Sequence, residues 1–163
     1  MGLDRSLERE EDTMAYDKAK WHAKAVRDAR LPEEQAYVHT GLFLTWIIDH
    51  DLYSEEFLDD VREGIPAVKD RRVTGPSLYR EGDGVLAEDM LNDEGNAFTR
   101  YYYSPVASAD PHYLKDLHVV FALGPKNAYE VEDSWDTYRV ISPMIDARYR
   151  EWVQAGRPSG PRS

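Results

Sequence analysis

The chain has 163 residues, 42% of them hydrophobic and 12% aromatic, enough for one domain around one core. It has no cysteine, which excludes disulfides and any zinc, iron–sulfur or thiol chemistry that needs one. Its 31 acidic residues against 20 basic ones give a net charge of −11, a field that repels nucleic acid and anionic membranes and favours either a cationic partner or plain solubility.

In chain order, residues 1–14 read as a flexible charged tail without the apolar stretch of a signal peptide. YDKAKWHAKAVRDAR, from Tyr16, reads as a helix or a helix followed by a loop. LPEEQAYVHTGLFLTWIIDH is the strongest helix of the chain: Pro32 suits its first turn, and Glu33 and Glu34 face the positive end of its dipole. It is apolar nearly all round, which places it at the centre of the domain, and Gly41 within it predicts a close helix crossing. Its apolar part, Tyr37–Ile48, is too short for a bilayer span of about 20 residues, and the chain reads as cytoplasmic.

Ser54 is placed to cap the next helix, with Phe57, Leu58 and Val61 inward and Gly64 and Pro66 ending it. VTGPSLYREGDG reads as loop with a short helical turn, and VLAEDMLNDEGNAFTRYYY as one or two short helices broken near Gly95. LHVVFAL, Leu117 to Leu123, fits a strand or a helix equally. Trp135, Tyr138, Ile141, Ile145, Tyr149 and Trp152 recur at helical spacing as a lid on the core, with Pro143 either inside that helix or opening a new one. Residues 156–163 read as a second flexible tail. The fold class is mainly α: a single compact helical domain over 15–155 with several irregular loops and room for one short strand pair.

Local patterns for chemistry are missing. There is no H-E-x-x-H, no Glu-x-x-His pair, no calcium-loop spacing in DMLNDEGN, no G-x-S-x-G and no phosphate loop. No metal and no cofactor are expected. A site assembled from distant residues such as His39, Asp49 and Asp89 escapes these local tests. His39 is expected to be a hydrogen-bonded core histidine, and Asp49–His50–Asp51 a polar corner where the central helix leaves the core. Charge is uneven: seven acids and one arginine lie between Asp49 and Glu63, and six acids with no base between Glu81 and Asn96. Such runs form a docking face for a basic protein if they meet in space, and solvated helix starts if they do not.

The strings YDKAKWH, LPEEQAYVHTGLFLTWIIDHDLYSEEF, TGPSLY, DGVLAEDMLNDEGNAF and YEVEDSWDTY resemble a family of small uncharacterised bacterial proteins of unknown function, over roughly Ala15 to Trp152. The resemblance supplies no catalytic residues. It implies a setting of bacterial toxins and their antagonists. With the small acidic domain and the missing motifs, the expectation is a binding protein and not an enzyme: an immunity protein or inhibitor covering the active site of a cationic toxin. Its face would comprise Asp49, Asp51, Glu55, Glu56, Asp59, Asp60, Glu88, Asp89, Asp93 and Glu94, with Trp46, Tyr53 and Tyr79 as aromatic anchors. The alternatives are a small helical enzyme with a histidine–carboxylate site, with or without metal, and a homo-oligomer sharing the aromatic C-terminal stripe.

Overall fold

The computed structural model describes residues 15–103, 112–123 and 128–159. Among them are eight α-helices, four short 3-10 turns and one two-stranded antiparallel sheet, so the chain is mainly α. The first stretch is extended before it is helical. Strand β1 (Ala15–Lys18) leads through a 3-10 turn (Ala19–His22) into helix α1 (Ala23–Asp28), and β1 pairs with β2 (Val85–Ala87). Asp17 faces Leu86 in that ladder, with an irregularity between Ala15 and Asp17.

The central helix is α2 (Val38–Asp49), entered through a 3-10 turn (Glu33–Tyr37). Every residue from Val38 to Ile48 is buried, as the apolar character of all its sides requires. The helix stops at Asp51, whose φ of +58° is the left-handed conformation that ends many helices. The amide of Leu52 then donates to Ile47 O at 3.0 Å, capping an orphan carbonyl.

Helix α3 (Glu55–Val61) is capped by Ser54 Oγ, which accepts from the Phe57 amide at 3.0 Å. Phe57 is buried, but Leu58 is 38% exposed, so the inner face is narrower than its spacing implied. Gly64 and Pro66 do not lie in a break: they belong to α4 (Gly64–Lys69), which follows at once. The expected loop after Val73 is a helix too, α5 (Gly75–Glu81), because Thr74 caps it and Pro76 sits in its first turn. Here α2 and α5 cross closely. A Cβ on Gly41 would lie 2.3 Å from Pro76 Cα, and one on Gly75 would lie 1.7 Å from Thr45 Oγ1, so the crossing needs both glycines.

Gly95 also does not break its segment. Helix α6 (Asp93–Tyr102) contains it, with Asn92 Oδ1 accepting from its amide at 2.8 Å. The ambiguous LHVVFAL is helical up to Val120, in α7 (His112–Val120). Helix α8 (Trp135–Gln154) runs unbroken through Pro143 from a Ser134 cap. Tyr138, Ile141, Ile145 and Trp152 bury their side of it. The start of the tail expected from residue 156 makes contacts: Trp152 Nε1 donates to Pro158 O at 2.9 Å, and Arg157 pairs with Glu94. Residues 1–14 and 160–163 lie outside the described residues.

Candidate functional site

The acidic runs do meet. Ser54 N donates to Met90 O at 2.9 Å, Asn92 N donates to Leu52 O at 2.9 Å, and Tyr53 bridges Leu91, so the start of α3 lies against the 3-10 turn Glu88–Met90. Between them opens a cleft of about 300 Å³. Leu44, Phe57, Val61, Leu78 and Met90 give it an apolar wall, and Asp60, Asp83 and Asp89 bring carboxylates to it against one lining cation, Lys18. Asp83 reaches its place from the turn after α5, with a φ of +70°. It was not among the residues expected at the face, although the dipeptide Asp83–Gly84 marks a turn.

Three acids of the expected face are tied to neighbouring cations. Asp49 is held by both Arg71 guanidinium nitrogens at 3.0 Å and accepts from Tyr138 Oη at 2.8 Å, while Arg71 lies 4.4 Å from the Trp135 ring centre. Asp51 pairs with Lys69, whose ammonium also faces the Tyr53 ring. Hydrogen bonds from Lys69 hold the Asp51 carboxyl below its usual range. Glu94 is held by Arg157 and Tyr149. These three acids serve internal contacts. Glu55, Glu56, Asp59, Asp60 and Asp93 are exposed, and Glu88 and Asp89 are half-buried.

Two of the proposed anchors are corrected. Trp46 is completely buried and donates to Asp146 Oδ1 at 2.8 Å, because α2 has no side free of the core. Tyr79, 2% exposed, forms part of the cleft wall rather than projecting from it. Tyr53 is half-buried. His50 forms the polar corner with Asp146, 3.1 Å away, and with the Trp46 carbonyl, rather than with its neighbours Asp49 and Asp51.

A second group of chemistry-bearing side chains lies inside the molecule. Asp17 on β1, His22 at the end of the following 3-10 turn and His39 in the first turn of α2 place ligand-type atoms within 4.8 Å of one another. His22 Nε2 is 2.6 Å from Asp17 Oδ1, and His22 Nδ1 is 2.6 Å from Tyr129 Oη. Asp17 also accepts from the Lys18 amide at 2.9 Å, from Thr40 Oγ1 at 3.1 Å and from Tyr103 Oη at 2.5 Å. Burial alone pushes the Asp17 carboxyl up, but the hydrogen bond to His22 and the nearness of the His39 imidazole outweigh it and hold the group well below the carboxylate range. His39 is the exception. It is 1% exposed, its Nε2 is 3.5 Å from Asp17 Oδ2, and neither ring nitrogen has a hydrogen-bond partner. The expected satisfied core histidine is buried but not satisfied. Burial lowers its imidazole below the ordinary value against the opposing pull of Asp17, which keeps it neutral at pH 7.

Asp17, His22 and Tyr129 carried no local signal. They are distant in sequence from one another or from His39 and share no motif spacing, and only the β1–β2 pairing and the packing of Tyr129 assemble them. A family model matches residues 15–131. The chain belongs to the domain of unknown function DUF7832. No curated protein and no solved structure matches it. The DUF7832 region contains the whole buried cluster and every residue of the acidic cleft, and ends before α8.

Proposed function

We propose that this DUF7832 chain is a binding protein for a basic polypeptide, of the immunity-protein or inhibitor class. The observation that carries the reading is the cleft at which both acidic runs converge, apolar along its wall and carboxylate-bearing at Asp60, Asp83 and Asp89, three acids against the single lining Lys18. That combination suits a lysine or arginine flanked by an apolar side chain: the apolar group fills the cleft and the cation meets the carboxylates. The net charge of −11 would steer such a partner in from a distance and make association salt-sensitive. No helix among the described residues is long and apolar enough to cross a membrane.

The test compares the wild-type chain with an Asp59→Asn, Asp60→Asn, Asp83→Asn variant in capture from source lysate at low salt, with elution by a salt gradient. Asparagine preserves size and tolerates the positive φ of Asp83. The expected result is one basic protein in near-equal amount, released as salt rises and bound about tenfold more weakly by the variant. A partner held equally well by the variant removes the cleft from the reading. A second reading, a small helical enzyme built on a histidine–carboxylate site, is favoured by the unpartnered imidazole of His39 beside Asp17.

A further inference from the structure

We propose that Asp17, His22 and His39 bind one divalent transition-metal ion of the zinc class, through the Nε2 atoms of the two histidines and the Asp17 carboxylate, whose Oδ2 faces His39 and whose Oδ1 faces His22. The site is separate from the acidic cleft and independent of the docking reading.

The first argument is the orphaned imidazole. A neutral histidine carries one lone pair and one N–H, and burying either without a partner costs about 1–3 kcal/mol. An isolated group in this state calls for an occupant or a chemical role. The His39 atom facing Asp17 is Nε2, and a cation between them would take up its lone pair.

Spacing is the second argument. Two atoms bound tetrahedrally to one zinc ion, each at about 2.0–2.2 Å, lie about 3.3–3.6 Å apart. His39 Nε2 and Asp17 Oδ2 are already 3.5 Å apart. His22 Nε2 and Asp17 Oδ1, at 2.6 Å, are joined by a hydrogen bond that the ion would replace with an opening of about 1 Å, the ring proton then sitting on Nδ1 and donated to Tyr129 Oη.

The surroundings hold His22 and Asp17, though not His39, as outer-shell partners hold metal ligands. Tyr129 Oη meets the far nitrogen of His22 at 2.6 Å, and Lys18 N, Thr40 Oγ1 and Tyr103 Oη fix the Asp17 carboxylate. Two imidazoles and one carboxylate select a zinc-class ion over calcium or magnesium, which require mainly oxygen ligands. Three protein ligands leave a fourth position for water, the composition of hydrolytic rather than structural zinc sites. The His22 side chain is 18% exposed, so the cluster has one side toward solvent.

The experiment uses the full chain stripped with chelator and titrated with ZnCl₂ by calorimetry, and with CoCl₂ by visible absorption. The expected result is one equivalent bound, with cobalt d–d bands of a low-symmetry nitrogen–oxygen site. His22→Gln, on the exposed side, should weaken Zn²⁺ by about a hundredfold and Tyr129→Phe by about tenfold. In the wild-type chain, Zn²⁺ should shift the imidazole NMR signals of His22 and His39 and leave those of His50, His112 and His118 in place. No binding at equimolar Zn²⁺ overturns the site. So does binding that moves the other three histidines or is unchanged in His22→Gln, which would mark ions gathered by the acidic surface. The NMR readout needs no variant, so it decides even if His22→Gln fails to fold.

Discussion

Asp17 and Asp116 are both buried carboxylates that accept a hydrogen bond from a buried tyrosine, yet their remaining partners differ in kind. Asp116, 5% exposed, accepts from Arg148 Nε at 2.9 Å, from the second guanidinium nitrogen at 3.0 Å and from Tyr102 Oη at 2.7 Å. Its charge is met by a permanent cation in planar two-point geometry. Asp17 faces two imidazoles, which gain and lose protons and can ligate, and one of them has no hydrogen-bond partner at all. A carboxylate paired with a guanidinium is a fastening, here between α7 and α8. A carboxylate beside an unsaturated imidazole retains the capacity to bind something further.

The largest effect should come from breaking the fastening. Arg148→Met keeps the aliphatic stem but leaves Asp116 buried without its cation. Loss of a buried partner costs about 3–5 kcal/mol, and the 40% exposure of Arg148 lets water recover part of that, so a loss of about 2–3 kcal/mol is expected. It should appear as a lower urea midpoint at unchanged slope, with Zn²⁺ affinity unaltered. A loss below about 0.5 kcal/mol would mean that Asp116 is readily rehydrated, and the contrast would collapse.

The other side of the comparison makes the opposite forecast. His39→Leu removes two unpartnered buried nitrogens and fills similar space, so stability should change by no more than about 1 kcal/mol. His22→Leu removes an imidazole whose nitrogens both have partners, Asp17 and Tyr129, and should cost about 1–2 kcal/mol. The more buried histidine is thus the cheaper to lose, a reversal of the usual order that denaturation of both variants in chelator would check. If His39→Leu costs as much as Arg148→Met, the His39 nitrogens are satisfied after all.

This contrast also explains what was legible in the sequence. Caps made by a single side chain could be read directly: Ser54 does bind the amide three residues on. So could the close crossing at Gly41, because a glycine in an apolar helix has few other uses. The C-terminal stripe was readable because Tyr138, Ile141 and Ile145 follow one period. Features joining distant segments could not be read. Residues 15–18 lie in a strand only because residues 85–87 lie beside them, and LHVVFAL resolves as helix in its tertiary setting. Trp46 was misplaced because an aromatic near an acidic run looks like an anchor, although a helix apolar on all sides leaves none exposed. Asp17, His22 and His39 form the extreme case, since each is unremarkable alone and the chemistry lies in their meeting.

The smallest expected effect concerns a third carboxylate, which lies outside the core and, among the described residues, beside no imidazole. Glu94 is held at the surface by Arg157 and Tyr149. Hydrogen bonds from Arg157 hold its carboxyl below the usual value, with partial burial opposing. A depressed folded value means that the unfolded chain takes up the proton first. The stabilisation is therefore present above the unfolded glutamate value of about 4.3 and disappears as pH falls through the folded value. Arg157→Ala should lower the melting temperature slightly at pH 7, and the two curves should merge in acid. Arg157 also lies 5.7 Å from the ring centre of Trp152, whose indole N–H binds the Pro158 carbonyl. If the difference between wild type and variant persists in acid, the guanidinium fastens the C-terminus through that indole and not through Glu94, because the ring does not titrate and the carboxylate does.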